Sequence, residues 1–315
     1  MEGFSWVEWI VLALLSPLVG FVGMFSGGFW GVGCGWLVVP SMLVFFDCTP
    51  MQAAGVGLLQ MAPSILGPVI KEAPKIGWGK PSIGRNLVMP MALGAFVTSF
   101  CGRPINIFFN ELCGNKAIFT FFGIFMFVVG YQTLFGKTRK YNDTSPMKFT
   151  RMTTVWALIG GFAAGVFSSV LGVGGAMVFR PTLASGFKTS EEDTARATRF
   201  LLLSTTITGG ATYLLASDQG IDAKILVLAA AIAVGGAIGF PLGVQAHNVV
   251  LKAGYANIAQ RSFAVICAIV MINAAFSVLG LEEISRYVMF GAAVLLMAFL
   301  LLFVWVAKRR LRNPL

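Results

Sequence analysis

The chain has 315 residues, 57% of them hydrophobic and 11% charged, with a formal net charge of +10. A soluble domain carries about 25% charged residues, so a chain of this composition cannot cover an aqueous surface and belongs in a lipid bilayer. The basic excess lies in loops and at the C-terminus, where it sets membrane topology, and nucleic acid is not expected as a partner.

At about 20 residues per span there is room for about nine to eleven crossings. In chain order the apolar segments fall near 6–29, 50–70, 84–101, 115–136, 153–171, 191–216, 222–243, 259–280 and 284–307. Two shorter ones, near 35–47 and 176–187, each follow a glycine-rich break and are too short to span easily alone. Two weaker stretches, 104–112 and 246–257, read as short interfacial connections. The charges Glu191, Glu192, Asp193, Arg196 and Arg199 place the first turns of segment 191–216 at the interface. No carboxylate is expected in mid-span. The polar stretch 136–152 reads as a loop rather than a domain.

Residues 1–10 hold Glu2 and Glu8 but no basic residue, so a cleaved leader is not expected. The five cysteines, Cys34, Cys48, Cys101, Cys113 and Cys267, show no paired spacing. They predict neither a disulfide framework nor a metal cluster, and no cofactor is expected. Trp6, Trp9 and Trp78 stand near segment ends, as interfacial anchors do.

The break GVGCGWLVVP at 31–40 has a diverged copy, GVGGAMVFRP, at 172–181, an offset of 141 residues. The same offset pairs Gly20 with Gly161, Pro40 with Pro181, Ala54 with Ala195, Gly94 with Gly235 and Gly102 with Gly243. Internal duplication follows, with segment 284–307 unpartnered. The basic stretches 71–85 and 137–151 and the tail Lys308–Arg312 all face the cytoplasm by the positive-inside rule. That count requires each short segment to cross, giving five crossings per half and two repeats of opposite orientation.

The expected fold is therefore an all-α polytopic membrane protein of two inverted five-segment repeats with broken short helices, plus one extra C-terminal helix. The first repeat occupies 1–140, a cytoplasmic linker 141–151, the second repeat 152–281, and the extra helix with its basic tail 282–315. The N-terminus is expected outside and the C-terminus in the cytoplasm of a cell (inner) membrane.

An interrupted membrane helix must line a cavity or be buried in protein. The N-terminus of the helix that restarts offers free N–H groups and a positive dipole end. Gly31, Gly33 and Gly35, with Gly172, Gly174 and Gly175, would let a ligand approach those amides, so the two ends together predict a midplane anion site. The spacing of Gly27, Gly31 and Gly35 equally fits close helix packing.

Around these breaks, Arg180 stands in an apolar run and either binds an oxyanion with its planar fork or snorkels to the interface. Arg199 is a second candidate cation, whereas Arg196 is expected to pair with Glu192 four residues earlier. Gln60, Thr205 and its neighbouring hydroxyls Ser204, Thr206 and Thr208 can complete an anion's hydrogen bonds or bond back to their own helices. Cys34 is a small residue in place of glycine or a weak thiol donor. Asn273, Gln132 and Thr133 read as interhelical bonding groups. His247, the one histidine, sits in a loop-like stretch.

The glycine-rich break, the apolar run ending in proline and the helix opening near Ala54 or Ala195 resemble the TauE/SafE (TSUP) family of sulfite exporters and related anion transporters. The family's repeated motif appears as Gly31, Gly33, Gly35, Pro40 and as Gly172, Gly174, Gly175, Pro181, over about residues 7–280. Cys34, Ala176 and Arg180 depart from it, which bears on substrate choice.

The resemblance implies a secondary transporter, not an enzyme, that moves sulfite, thiosulfate or an organosulfonate, usually outward. It would work by alternating access around the two half-helix N-termini. Coupling to H+ or Na+ and assembly as a homodimer stay open. An anion channel of similar architecture, or a membrane-embedded enzyme acting on a thiol or lipid, is the alternative.

Overall fold

A computed structural model describes residues 6–46, 48–79, 82–135, 149–215 and 223–313. Most of the cytoplasmic linker expected at 141–151 lies outside the described residues, as do residues 1–5. The described residues are all helical or connecting: α1 Trp6–Trp30, α2 Gly35–Phe45, α3 Pro50–Glu72, α4 Met89–Ser99, α5 Gly102–Phe135, α6 Arg151–Leu171, α7 Ala176–Pro181, α8 Glu191–Leu215, α9 Ala223–Lys252, α10 Ala256–Val278 and α11 Glu282–Arg312. A π-helical turn, Gly84–Val88, leads into α4, and another, Thr182–Gly186, extends α7.

Among the described residues five helices are long and apolar enough to cross a bilayer. The pair α4 and α5, bent by 48° at its break, makes a sixth if it counts as one span. The chain is a multi-pass membrane protein.

The helix starts follow local chemistry. Thr49 caps α3 and exchanges bonds with Gln52, and 141 residues on Ser190 accepts from the Asp193 amide at the start of α8. Thr150 caps α6 in the same way through Thr153. The 11 residues of α2 span about 16 Å, roughly half of a 30 Å hydrocarbon core.

Two expectations need correction. Residues 104–112 are not a separate connection, because α5 runs unbroken from Gly102 to Phe135. No proline interrupts 105–135, and in a bilayer a continuous helix is the simplest way to bond every backbone group. Likewise α9 continues through Pro241 to Lys252, so His247 stands on a helix and is buried, not in a loop. Neighbouring helices make a membrane proline tolerable, and here α1 packs along α9 at glycine contacts.

Those contacts organise the bundle. A Cβ added at Gly235 on α9 would stand 1.8 Å from Pro17 O on α1, and one at Gly94 on α4 would stand 2.5 Å from Leu158 O on α6. Gly20 approaches Ile232 O to 2.0 Å, and Gly161 approaches Met91 O to 2.3 Å, by the same measure. Each contact maps onto its counterpart when one partner moves forward and the other back by the 141-residue offset. So α1 of the first half packs on α9 of the second, and α6 of the second packs on α4 of the first.

The helices α3 and α8 meet at the centre and run antiparallel: Leu58 lies beside Gly209, while Glu72 pairs with Arg199. The helices α5 and α10 do the same, with Gly123 beside Ala274 and Gly130 beside Cys267. At the other edge α11 packs on α9, α10 and α2, and its Ser285 hydroxyl donates to Asn273 on α10.

Candidate functional site

The two breaks lie at the centre of the bundle. Each reverses the chain with paired left-handed glycines, Gly31 and Gly33 at φ 74° and 76°, and Gly172 and Gly174 at φ 69° and 67°. This region costs any other residue about 1 kcal/mol or more. After the first turn, α2 folds back antiparallel to α1, so that Cys34 rests on Gly23 and the Trp36 indole donates to Ser26 Oγ at 3.1 Å.

The breaks touch each other. A Cβ on Gly35 would stand 2.2 Å from Val173 Cα, and one on Gly172 would stand 2.3 Å from Ala54 Cα. Gly33 and Gly174 both face the same two side chains, Met61 of α3 and Leu202 of α8, which are themselves 141 residues apart. Residues 31–38 and 172–181 are all buried, and Met61 and Leu202 close the junction.

In α2 the first backbone bonds come from Leu37 and Val38, which both donate to Cys34 O. In α7 the Ala176 amide donates to Gly174 O, and Val178 and Phe179 donate to Gly175 O. These first turns are the positive dipole ends of the two half-helices.

Polar side chains cluster at the first break. Gln60 Nε2 donates to Cys34 Sγ and to Gly57 O, leaving Oε1 buried without a partner. Turned over, the same amide would accept from the Cys34 thiol and aim its N–H donors the other way. The expected hydroxyls Ser204, Thr205, Thr206 and Thr208 all donate to carbonyls of their own helix α8. The Thr205 methyl lies 3.2 Å from where a Cβ on Gly175 would be. Thr133 also bonds back within its helix, to Val129 O.

The two arginines are neither snorkelling nor free. Arg180 is 2% exposed and donates to Trp30 O at the end of α1 and to Glu191 Oε1. Arg199 is 1% exposed; Nε and Nη2 donate to Gly28 O at 3.2 and 2.8 Å, and Nη1 to Glu72 Oε2 at 2.8 Å. Both guanidinium groups therefore finish the C-terminus of α1, where unpaired carbonyls and the negative dipole end call for a cation. At the opening of α8 Glu191 is buried against Arg180, whereas Glu192, Asp193 and Arg196 are half-buried. Arg196 does pair with Glu192 on the helix surface.

Sequence reasoning missed Glu72, Glu191 and Met61 as members of this centre, and it placed His247 outside it. His247 is 1% exposed, edge-on to the Phe29 ring at 5.5 Å, with Nε2 4.0 Å from Glu191 Oε1. At the end of α6 the carbonyls are met differently: Tyr213 Oη donates to Ser169 O at 2.7 Å, and Asn106 Nδ2 donates to Val170 O. Among the described residues no group of His, Cys, Asp and Glu could hold a metal ion.

Residues 16–274 match the family model described as Sulfite exporter TauE/SafE. No curated protein and no solved structure gives a significant match.

Proposed function

The chain belongs to the sulfite exporter TauE/SafE family, and from that premise we propose that it is a secondary transporter for a small sulfur oxyanion: sulfite, thiosulfate or an organosulfonate. The anion binds between the two half-helix N-termini, and the halves alternate access around it. The observation that carries this reading is the convergence of both breaks on Met61 and Leu202, because two positive helix ends at one point suit an anion. The unpartnered amide end of Gln60 and the Cys34 thiol stand beside them.

The two halves form inverted repeats. In support, an in-plane two-fold axis sets each helix antiparallel to its counterpart, and α3 with α8 and α5 with α10 run that way. It also accounts for the exchanged contacts of α1 with α9 and of α4 with α6. In the orientation set by the basic tail Lys308–Arg312, the end of α1 lies toward the cytoplasm and the end of α6 toward the outside. The arrangement is closed: Met61 and Leu202 must move before an ion reaches the amides. Export is the direction the membrane potential favours, by about 2.3 kcal/mol per negative charge per 100 mV.

Flux of sulfite and thiosulfate in proteoliposomes tests the reading. Saturable flux that depends on a counter-ion or an imposed gradient is expected. Non-saturating flux would make the protein a channel, and no flux of any sulfur anion would overturn the proposal.

A further inference from the structure

Three polar atoms at the α1 end are buried with nothing to bond: Oε2 of Glu191 and both ring nitrogens of His247. Buried polar atoms are nearly always partnered, and these three belong to neighbouring residues: His247 Nε2 lies 4.0 Å from Glu191 Oε1, the oxygen that Arg180 holds. The Phe29 ring covers the imidazole, and the Phe263 ring of α10 lies 5.4 Å from the Arg180 guanidinium carbon.

The charges facing this contact come from three elements. Helix α7 supplies Arg180, α8 supplies Glu191, Arg196 and Arg199, and α3 supplies Glu72. Two arginines and two carboxylates balance, and Arg196 is matched by Glu192. Helix α1 contributes the carbonyls of Gly28 and Trp30.

We propose that His247 and Glu191 form a proton-binding site whose occupation is coupled to anion binding at the glycine breaks; this rests on the transport reading above. A proton passes from water to a lone pair of the imidazole, whose new N–H then donates to Glu191. That carboxylate is shared with Arg180, so its hold on the guanidinium weakens. Arg180 belongs to the short helix α7, whose first turn lines the break, so the change reaches the anion site through one rigid element. Protonation also leaves the buried cluster one charge more positive, and an anion is the natural compensation in a low-dielectric interior. By linkage, anion binding raises proton affinity by the same factor.

The test uses the purified full chain with thiosulfate and methanesulfonate, whose charge stays constant between about pH 5.5 and 8.5, so that only the protein titrates. Wild-type affinity is expected to be about 10-fold higher at the acid end. His247→Asn, which installs the residue found at the equivalent position 106, should retain binding at the alkaline end and reduce the pH effect below about 2-fold. Glu191→Gln, which still accepts from Arg180, should do the same. In weak buffer a pH indicator should register proton uptake when the wild-type protein binds anion.

Binding that persists without any pH dependence, or a His247→Asn protein with the full dependence, overturns the proton site and leaves the transport reading standing. Absence of binding by either probe at both ends overturns both.

Discussion

The ends of α1 and α6 occupy equivalent places in the two halves, yet they are finished by opposite chemistry. Both helices stop at a glycine break, and both leave C-terminal carbonyls inside the protein that must find donors. At α1 the donors are guanidinium groups, Arg199 on Gly28 O and Arg180 on Trp30 O, each held by a carboxylate. At α6 they are a phenol and an amide, Tyr213 on Ser169 O and Asn106 on Val170 O. The offset of 141 residues carries Gly28 onto Ser169, Glu72 onto Tyr213, Leu58 onto Arg199 and Asn106 onto His247. One backbone requirement has two solutions, an ionic latch and a neutral one. The ionic latch can respond to protons and anions, and the neutral latch cannot.

The sharpest way to break this contrast is to convert one end into the other. Arg199→Leu removes one partner of a buried pair and strands Glu72, at a cost of about 3–5 kcal/mol. A large fall in the thermal midpoint in detergent is expected. Adding Glu72→Tyr rebuilds the leucine–tyrosine arrangement of the α6 end, and most of the lost stability should return. If the double variant is no more stable than Arg199→Leu alone, the two ends are not interchangeable solutions.

Much of this was legible in the sequence because it rests on local chemistry. The bounds of α2 and the start of α7 follow from glycines that permit a left-handed turn and from the apolar runs after them. What stayed hidden depends on partners distant in the chain. Arg180 and Arg199 read as odd charges in an apolar context, but their partners at Trp30, Gly28 and Glu72 lie as many as 171 residues away. Glu191 reads as one of three acidic residues that open α8 at the interface, and only the fold shows that it turns inward onto Arg180. His247 falls in the stretch 246–257 that reads as a short connection, whereas packing on α1 keeps α9 helical to Lys252. The 141-residue offset read from the sequence already pairs His247 with Asn106 and Glu72 with Tyr213. Such pairs mark equivalent places where the two halves differ most in chemistry.

A smaller effect separates the breaks, which the two halves share, from the latches, which they do not. Gly35→Ala puts a methyl 2.2 Å from Val173 Cα, a backbone atom that can retreat only by moving the second break. The overpacking should cost about 1–3 kcal/mol. Anion flux should fall much further than this stability loss would explain, because the two N-termini are forced apart. Flux that survives unchanged would separate the junction of the breaks from the transport path.

The smallest expected effect is at the neutral latch. Tyr213→Phe leaves the ring packed among Ala54 and Leu58 but removes the donor to Ser169 O. A neutral hydrogen bond contributes about 1 kcal/mol, and the abandoned carbonyl adds a desolvation cost of similar size. The thermal midpoint should drop by clearly less than for Arg199→Leu. Because no charge is stranded, the drop should be the same in low and high salt and at acid and alkaline pH. Arg199→Leu, which strands the Glu72 carboxylate, should lose several times as much. A Tyr213→Phe protein as unstable as Arg199→Leu, with a loss that varies with salt and pH, would show that the α6 end carries hidden charge coupling, and the division into ionic and neutral latches would fail.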